Sequence, residues 1–321
     1  MTNASTPAPG TALVLGITGG IGAAIASRLA ARGWTIRALT RRPPDQRPRM
    51  DYPVEWRLGD SLDQRSVREA ARGAGLIVHG VNPPGYARWR EDGLPMLANT
   101  IAAARDAGAT ILFPANVYVF SATSPATVDE TTPRHPTTRK GKVRLEMETM
   151  LALAAQEHGV RVIAVRAGDF FGPGVASSWF SQALAKGGLA ARSAATLARP
   201  GTGHAWAFVP DLAETFARLV DRRSALPAFT LVHFAGHHDA SGRDLAEAVR
   251  RVIGRKDLPI RPFPWIVVWL GAPFVRFLRE ALEMRWLWTT SLALDNGRLR
   301  SLIGEEPHTP LDDAVRTALA G

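Results

Sequence analysis

Three glycines at spacing three, Gly16, Gly19 and Gly22, sit between an apolar run, Ala12-Leu13-Val14-Leu15, and an amphipathic one, Ala23 to Leu29. A strand, a tight turn and a helix in that order aim main-chain N–H groups and a helix N-terminus at one point, which suits a diphosphate. The first glycine permits the turn, the second lets phosphate approach the main chain, and the third lets helix and strand close on each other. Gly16, Thr18, Gly19, Gly20, Ile21 and Gly22 are therefore the expected lining of a phosphate-bearing ligand site.

The elements that must hold this turn follow from periodicity and breakers. Trp34–Thr40 and Val54–Leu58 read as strands separated by a loop that Pro43, Pro44 and Pro48 enforce. Leu62–Arg72 has helical periodicity and stops at Gly73. Leu76–His79, Thr110–Phe113 and Val160–Arg166 read as further strands, with helices over Pro95–Ala107 and Thr137–His158 between them, closed by Gly108 and Gly159. Strands alternating with helices of this length predict a parallel sheet covered on both faces. Beyond Gly172-Pro173-Gly174 the alternation weakens and a smaller lobe is expected, with Phe208-Val209-Pro210-Asp211 returning to the main sheet and Asp211 capping a helix.

Composition narrows the chemistry. The 321 residues contain no cysteine, which excludes disulfides, thiolate metal sites and a cysteine nucleophile. The net charge is +10, yet 35 of the 39 basic residues are arginines scattered along the chain, whereas a nucleic-acid surface should cluster them. No nucleic-acid partner is expected. Met1–Gly10 lacks the basic-then-apolar pattern of a secretory signal, and the fourteen uncharged residues between Arg261 and Arg276 are broken by Pro262, Pro264 and Pro273. A cytoplasmic protein without a membrane span is the expectation. His237-His238-Asp239 would point its two imidazoles to opposite sides of a strand, so no metal site is expected there. Trp265, Trp269, Trp286 and Trp288 crowd the last quarter with Phe263, Phe274 and Phe277; lobe core is the first reading, with a substrate wall, a membrane surface or a dimer contact as alternatives.

Four further stretches carry a resemblance: Gly59-Asp60 after the third strand, Ile77-Val78-His79, Val165-Arg166-Ala167-Gly168-Asp169-Phe170-Phe171-Gly172-Pro173-Gly174, and Leu302-Ile303-Gly304 followed by Pro307 and Leu311. With the glycine turn, and in this order, they make the chain resemble the extended short-chain dehydrogenase/reductase family over nearly its whole length. The resemblance implies an α/β fold, a doubly wound Rossmann parallel sheet with a smaller C-terminal substrate lobe. It implies a dinucleotide-binding domain over 11–170 and a substrate-binding lobe over 171–321 that partly returns to the main sheet near 205–220. The implied activity is an oxidoreductase or epimerase moving hydride between a nicotinamide and a carbonyl or alcohol of a small molecule, with a homodimer as one assembly. Asp60 and Ser61 take the adenine side; Gly80, Val81, Asn82 and Ala167 line the cofactor; Tyr86, Asp169 and Phe171 border the substrate.

Two departures from the family pattern matter. No acidic residue stands at the end of the second strand to hold a ribose 2′-hydroxyl; Thr40-Arg41-Arg42 stands there instead. Guanidinium groups grip a 2′-phosphate, so Arg41 and Arg42 favour NADP(H) over NAD(H), unless both are plain surface residues. The family's serine, tyrosine and lysine slots hold Asn116, Lys140 and Arg144, an atypical set. Like charge at Arg144 would push Lys140 toward the neutral form that acid/base work needs; a solvated basic helix start, shared with Lys142, is the other explanation. Arg144 would take the ribose contacts, and Asn116 would orient a substrate carbonyl. The rival reading is a catalytically silent NADP(H)-binding regulator or scaffold.

Overall fold

The structure, a computed structural model, describes residues 9–83 and 88–321. Its first half reads β1 (Thr11–Leu15), α1 (Gly20–Ala30), β2 (Thr35–Thr40), β3 (Val54–Leu58), α2 (Gln64–Ala71), β4 (Ala74–His79), α3 (Leu94–Ala107), β5 (Thr110–Asn116), β6 (Thr127–Val128), α4 (Arg139–His158), β7 (Val162–Ala167) and β8 (Asp169–Phe171). The second half adds β9 (Ala194–Thr196), β10 (His204–Phe208), α5 (Val209–Asp221), β11 (Phe229–His233), β12 (His237–Asp239), α6 (Asp244–Ile253), β13 (Ile260–Pro262), α7 (Trp265–Gly271), α8 (Arg276–Glu283), β14 (Ala293–Leu294), α9 (Gly297–Ile303) and α10 (Leu311–Ala320).

Seven strands form one all-parallel sheet in the order β11-β7-β5-β4-β1-β2-β3. The order reverses between β1 and β4, so the loops leaving those two strands part company and open a crevice at the carboxyl edge. Strand alternation sorts the core into two layers. Ala12 and Val14 of β1 pack with Ile25, Leu29 and Phe216 on the α1 and α5 side. Leu13 and Leu15 pack with Leu97, Phe113 and Leu151 on the α3 and α4 side. Covering both faces explains why the central strands β1, β4, β5 and β7 read as near-continuous apolar runs.

The remaining strands build a smaller lobe around a three-stranded sheet, β12-β10-β8. Here one expectation is corrected. The segment ending at Phe208 does not return to the main sheet; β10 pairs with β8 and β12, and it is β11 that joins the main sheet beside β7. The return is completed by α5, whose Glu214 and Asp221 bond Arg32 just beyond α1. Residues beyond 171 therefore belong to both layers. Asp211 is not the cap of α5 either, since Phe208 stands at that position. Its carboxylate accepts from the amide and hydroxyl of Thr309, at 2.7 and 2.8 Å, and ties down the C-terminal segment.

Candidate active site

The turn after β1 is shaped by close main-chain approach. Gly16 has φ +88°, and a Cβ there would lie 2.6 Å from the Gly80 carbonyl oxygen; a Cβ on Gly22 would lie 2.3 Å from the Gly16 oxygen. Both glycines are obligatory for packing. Gly20 has a different reason: Val175 Cγ2 would stand 2.7 Å from its Cβ, so the loop that follows β8 forms one wall of the turn. Ile21 is buried beneath it. Thr18 and Gly19 are exposed, and a Cβ on Gly19 would meet only the turn's own Gly16 oxygen, at 3.4 Å. Side chains therefore leave the front of the turn open, and the N-terminus of α1 lies directly behind it. The cradle fits a diphosphate.

At the end of β2, Arg41 is exposed and its Nη1 lies 3.9 Å from Asp60 Oδ2, beyond the end of β3. The Arg42 amide donates to Thr40 Oγ1 at 3.1 Å. Asp60 Oδ1 accepts from the Leu62 amide, and the buried Asn99 amide on α3 donates to the carbonyls of Ser61 and Leu62 at 3.0 Å each. Asn99 thus fixes the Asp60–Ser61 turn; nothing local in the sequence marked it.

Gly80, Val81 and Asn82 continue from β4 along the crevice, with the Gly80 amide bonded to the Leu15 oxygen at 2.9 Å. Arg144 is buried on α4, donates from Nη2 to Asn82 Oδ1 at 2.8 Å and lies over the Trp89 ring at 4.7 Å. Tyr86 lies outside the described residues. Behind Arg144 is His79, wholly enclosed. Its Nδ1 is 2.8 Å from Thr100 Oγ1, whose own hydrogen goes to the Met96 oxygen, so Nδ1 carries the proton and the ring is neutral. Burial, with the Arg144 charge adding to it, pushes this imidazole down to about 3.

His233 on β11 is held the same way. Arg166 can only donate, at 2.5 Å to Nε2, and Nδ1 faces the Val128 oxygen at 3.2 Å; burial first, then Arg166, takes it down to about 3. Both rings stay neutral in the fold while an unfolded histidine binds a proton below about 6.5. The unfolded chain then holds more protons between those values, so stability is greatest above about pH 6.5 and is lost as pH falls toward 3. Each ring contributes a slope approaching 1.4 kcal/mol per pH unit, about one proton's worth. Urea midpoints measured from about pH 7 to about pH 4.5 should fall accordingly, and His79→Gln should flatten the slope. A parent midpoint that does not move would contradict this.

Asn116 ends β5 and turns its Oδ1 to the Tyr118 amide at 3.1 Å, leaving Nδ2 as the donor. Tyr118 is buried and stacked on Trp89. The first turn of α4 comes unusually close to this segment, because Gly141 has no Cβ to strike the Tyr118 oxygen, which would be 2.2 Å away. That glycine is a positioning residue legible only as a glycine in a helix's first turn.

Lys140 lies in surroundings different from those its spacing suggested. Its ammonium is buried and ion-paired to Glu280 and, at 2.9 Å, to Glu283, while its amide donates to Glu283 Oε1 at 3.1 Å. The charges around Nζ are carboxylates on α8. Burial acts to raise the Glu283 carboxyl, but hydrogen bonds from the Lys140 ammonium and amide override it and hold the group below the usual carboxylate range. Spacing of three along a helix puts both glutamates on one face, a signal the sequence offered without saying what they would meet.

In the lobe, Asp169 Oδ2 lies 3.0 Å from His204 Nε2, and His204 Nδ1 faces the Leu287 oxygen at 3.1 Å. A carbonyl only accepts, so Nδ1 carries a hydrogen, which leaves Nε2 as the ring atom facing the carboxylate. Trp288 stacks on this imidazole at 3.9 Å. Phe171 corrects an expectation: with no exposed surface and packed on Phe180, Trp206 and Phe208, it is lobe core and not a pocket wall. Ala167 is likewise enclosed, so only its main chain could meet a ligand. His237 and Asp239 are buried and His238 is exposed, the strand alternation expected of that triplet.

The crevice at the reversal of strand order, the open glycine turn and the buried residues behind it define a dinucleotide-binding α/β protein of the Rossmann class. Residues 12–231 match the family model described as "NAD dependent epimerase/dehydratase family", and the chain belongs to that family. Among solved structures it is similar to the Bordetella bronchiseptica enzyme WbmH in complex with NAD+ (TM-score 0.73, 19% identity, 98% of each chain covered). It is also similar to UDP-N-acetylglucosamine 4-epimerase from Bacillus cereus (TM-score 0.72, 14% identity, 97% of this chain and 95% of that one). At these identities the likeness is one of fold. A stretch of 69 residues is 41% identical to sterol demethylase protein B of Methylococcus capsulatus; it spans 22% of this chain and about a fifth (21%) of that relative's length. No helix among the described residues is long and apolar enough to cross a membrane.

Proposed function

We propose that this chain is an atypical member of its family that binds NADP(H) in preference to NAD(H) and moves hydride to or from a carbonyl or alcohol of a small, weakly polar molecule. The observation that carries the reading is the open glycine turn with Arg41 and Arg42, and no carboxylate, at the end of the neighbouring strand. The turn's amides and the α1 N-terminus hold the diphosphate, Arg41 and Arg42 the 2′-phosphate, Asp60 and Ser61 the adenine side, and Arg144, with Asn82, the ribose nearest the reacting ring. When bound, the nicotinamide supplies the hydride donor or acceptor. Asn116 Nδ2 donates to the substrate oxygen, and Lys140 Nζ holds the proton that oxygen needs. The aromatic lobe and the 69-residue segment similar to a protein named sterol demethylase protein B support a weakly polar substrate.

Arg41→Ala with Arg42→Ala should weaken NADP+ binding at least about tenfold while NAD+ binding changes by less than about threefold, as fluorescence titration would read. Equal losses for both would remove the 2′-phosphate assignment. The second reading, a silent dinucleotide-binding regulator, is favoured by one observation: the Lys140 ammonium is already engaged by two carboxylates. NADPH oxidation across a panel of ketones, quinones and enones separates the two. Tight binding with no turnover anywhere in the panel supports the regulator.

A further inference from the structure

The hairpin of α7 and α8 displays an apolar face that the fold does not use. Helix α7, Trp-Ile-Val-Val-Trp-Leu-Gly, has no charged side chain, yet it lies at the surface. Ile266, Val267, Trp269 and Leu270 are each 59–63% exposed, Phe274 is 87% exposed and Val275 47%. The other exposed large apolar residues among those described, Leu58, Leu62, Leu153 and Leu189, are scattered singly along the chain. Six within ten residues form a contiguous patch of the kind that marks an interaction site.

The patch is presented on a pinned element. Val268 and Ala272 are buried underneath, Trp265 Nε1 donates to the Leu197 oxygen at 2.9 Å, and Gly271 lets Leu278 of α8 pack where a Cβ would meet it at 2.5 Å. At the far end Glu280 and Glu283 lock α8 onto Lys140 and Arg139. The exposed face is thus a property of the docked hairpin, which has no need to swing out to show it.

Charge selects the occupant. Residues 258–279 contain Arg261, Arg276 and Arg279, all exposed, and no acidic residue. A second copy seated face to face would bring six arginines together with no carboxylate between them, an arrangement like-charge repulsion opposes. An anionic bilayer offers the opposite: apolar depth for the rings and branched chains, and phosphates for the guanidinium groups. Trp269 at such a depth matches the preference of indole for the membrane–water boundary.

We infer that the α7–α8 hairpin is a docking surface for an anionic lipid bilayer, lying on the membrane without crossing it. This assignment stands apart from the proposed reaction.

The full chain is mixed with sucrose-loaded vesicles of phosphatidylcholine and phosphatidylglycerol, or of phosphatidylcholine alone, and sedimented. Binding should be strong on the mixed vesicles, at least tenfold weaker on the neutral ones, and reduced by added salt. Trp269→Ser with Phe274→Ser should lower the partition coefficient on mixed vesicles at least tenfold and leave the thermal midpoint and dinucleotide affinity unchanged, because neither side chain supports the core. Arg276→Glu with Arg279→Glu should act in the same direction. No sedimentation with mixed vesicles, or sedimentation indifferent to the Ser substitutions, would overturn the inference. A vesicle-free dimer that the same substitutions dissolve would assign the face to a second copy and overturn it equally.

Discussion

Gly22→Ala should produce a protein that no longer binds either nicotinamide dinucleotide measurably. The added carbon would sit 2.3 Å from the Gly16 carbonyl oxygen and 2.9 Å from its carbon. Those neighbours are main chain, so no side chain can yield, and the whole turn must move. Moving it misaligns every amide facing the diphosphate; a loss of at least about a hundredfold, near 2.7 kcal/mol, is expected. Overpacking adds about 1–3 kcal/mol of destabilisation. Gly19→Ala is the companion measurement: its added carbon would meet only the Gly16 oxygen, at 3.4 Å, so urea stability should stay within about 0.5 kcal/mol of the parent. Calorimetric titration with NAD+ and NADP+ alongside urea unfolding reads both effects. Affinity for Gly22→Ala within about threefold of the parent would remove the turn from the binding site.

Lys140→Met should destabilise the fold by about 3 kcal/mol, because it sets an apolar side chain against Glu280 and Glu283 and leaves only the exposed Arg139 to pair with them. The ammonium is 3% exposed and its partners 11% and 12%, so solvent can do little to compensate. Lost turnover in this variant alone would therefore not distinguish chemistry from collapse. Adding Glu280→Gln and Glu283→Gln removes the stranded charges and should recover most of the stability. In that triple variant the two roles separate. If Nζ carries the proton, dinucleotide binding returns and turnover does not; if Lys140 only pins α8, turnover returns with the fold. Lys140→Arg gives the complementary view, keeping the ion pairs with a group that cannot deprotonate. Recovery of neither stability nor binding in the triple variant would contradict the clamp itself.

The elements that local pattern specifies were the ones most legible. Val54–Leu58 appears as the strand its flanking Pro53 and Gly59 bound, and α3 and α4 end at Gly108 and Gly159 where helix-closing glycines stand. The environments of single side chains were far less so. Lys140 and Arg144 share a helix face as spacing requires, but one meets carboxylates 140 and 143 residues away and the other meets Asn82 and Trp89. Asp169 read as a substrate-bordering residue, and its tie to His204 went unread because His204 lies 35 residues on with no motif linking them. Trp288 and Trp269 are the same residue in the same aromatic run, and one is buried while the other is 59% exposed.

Order along the chain was enough to establish alternating strands and helices and the glycine turn, because backbone geometry, breakers and side-chain period act over a few residues. It also placed arginines where an acidic residue would favour NAD. Three-dimensional packing alone chose which short strand completes the main sheet, which carboxylates surround Lys140, and which aromatics reach the surface. Those outcomes depend on contacts between segments far apart in sequence, where the competing pairings have similar local preferences and differ only in the apolar area and charge they bury together.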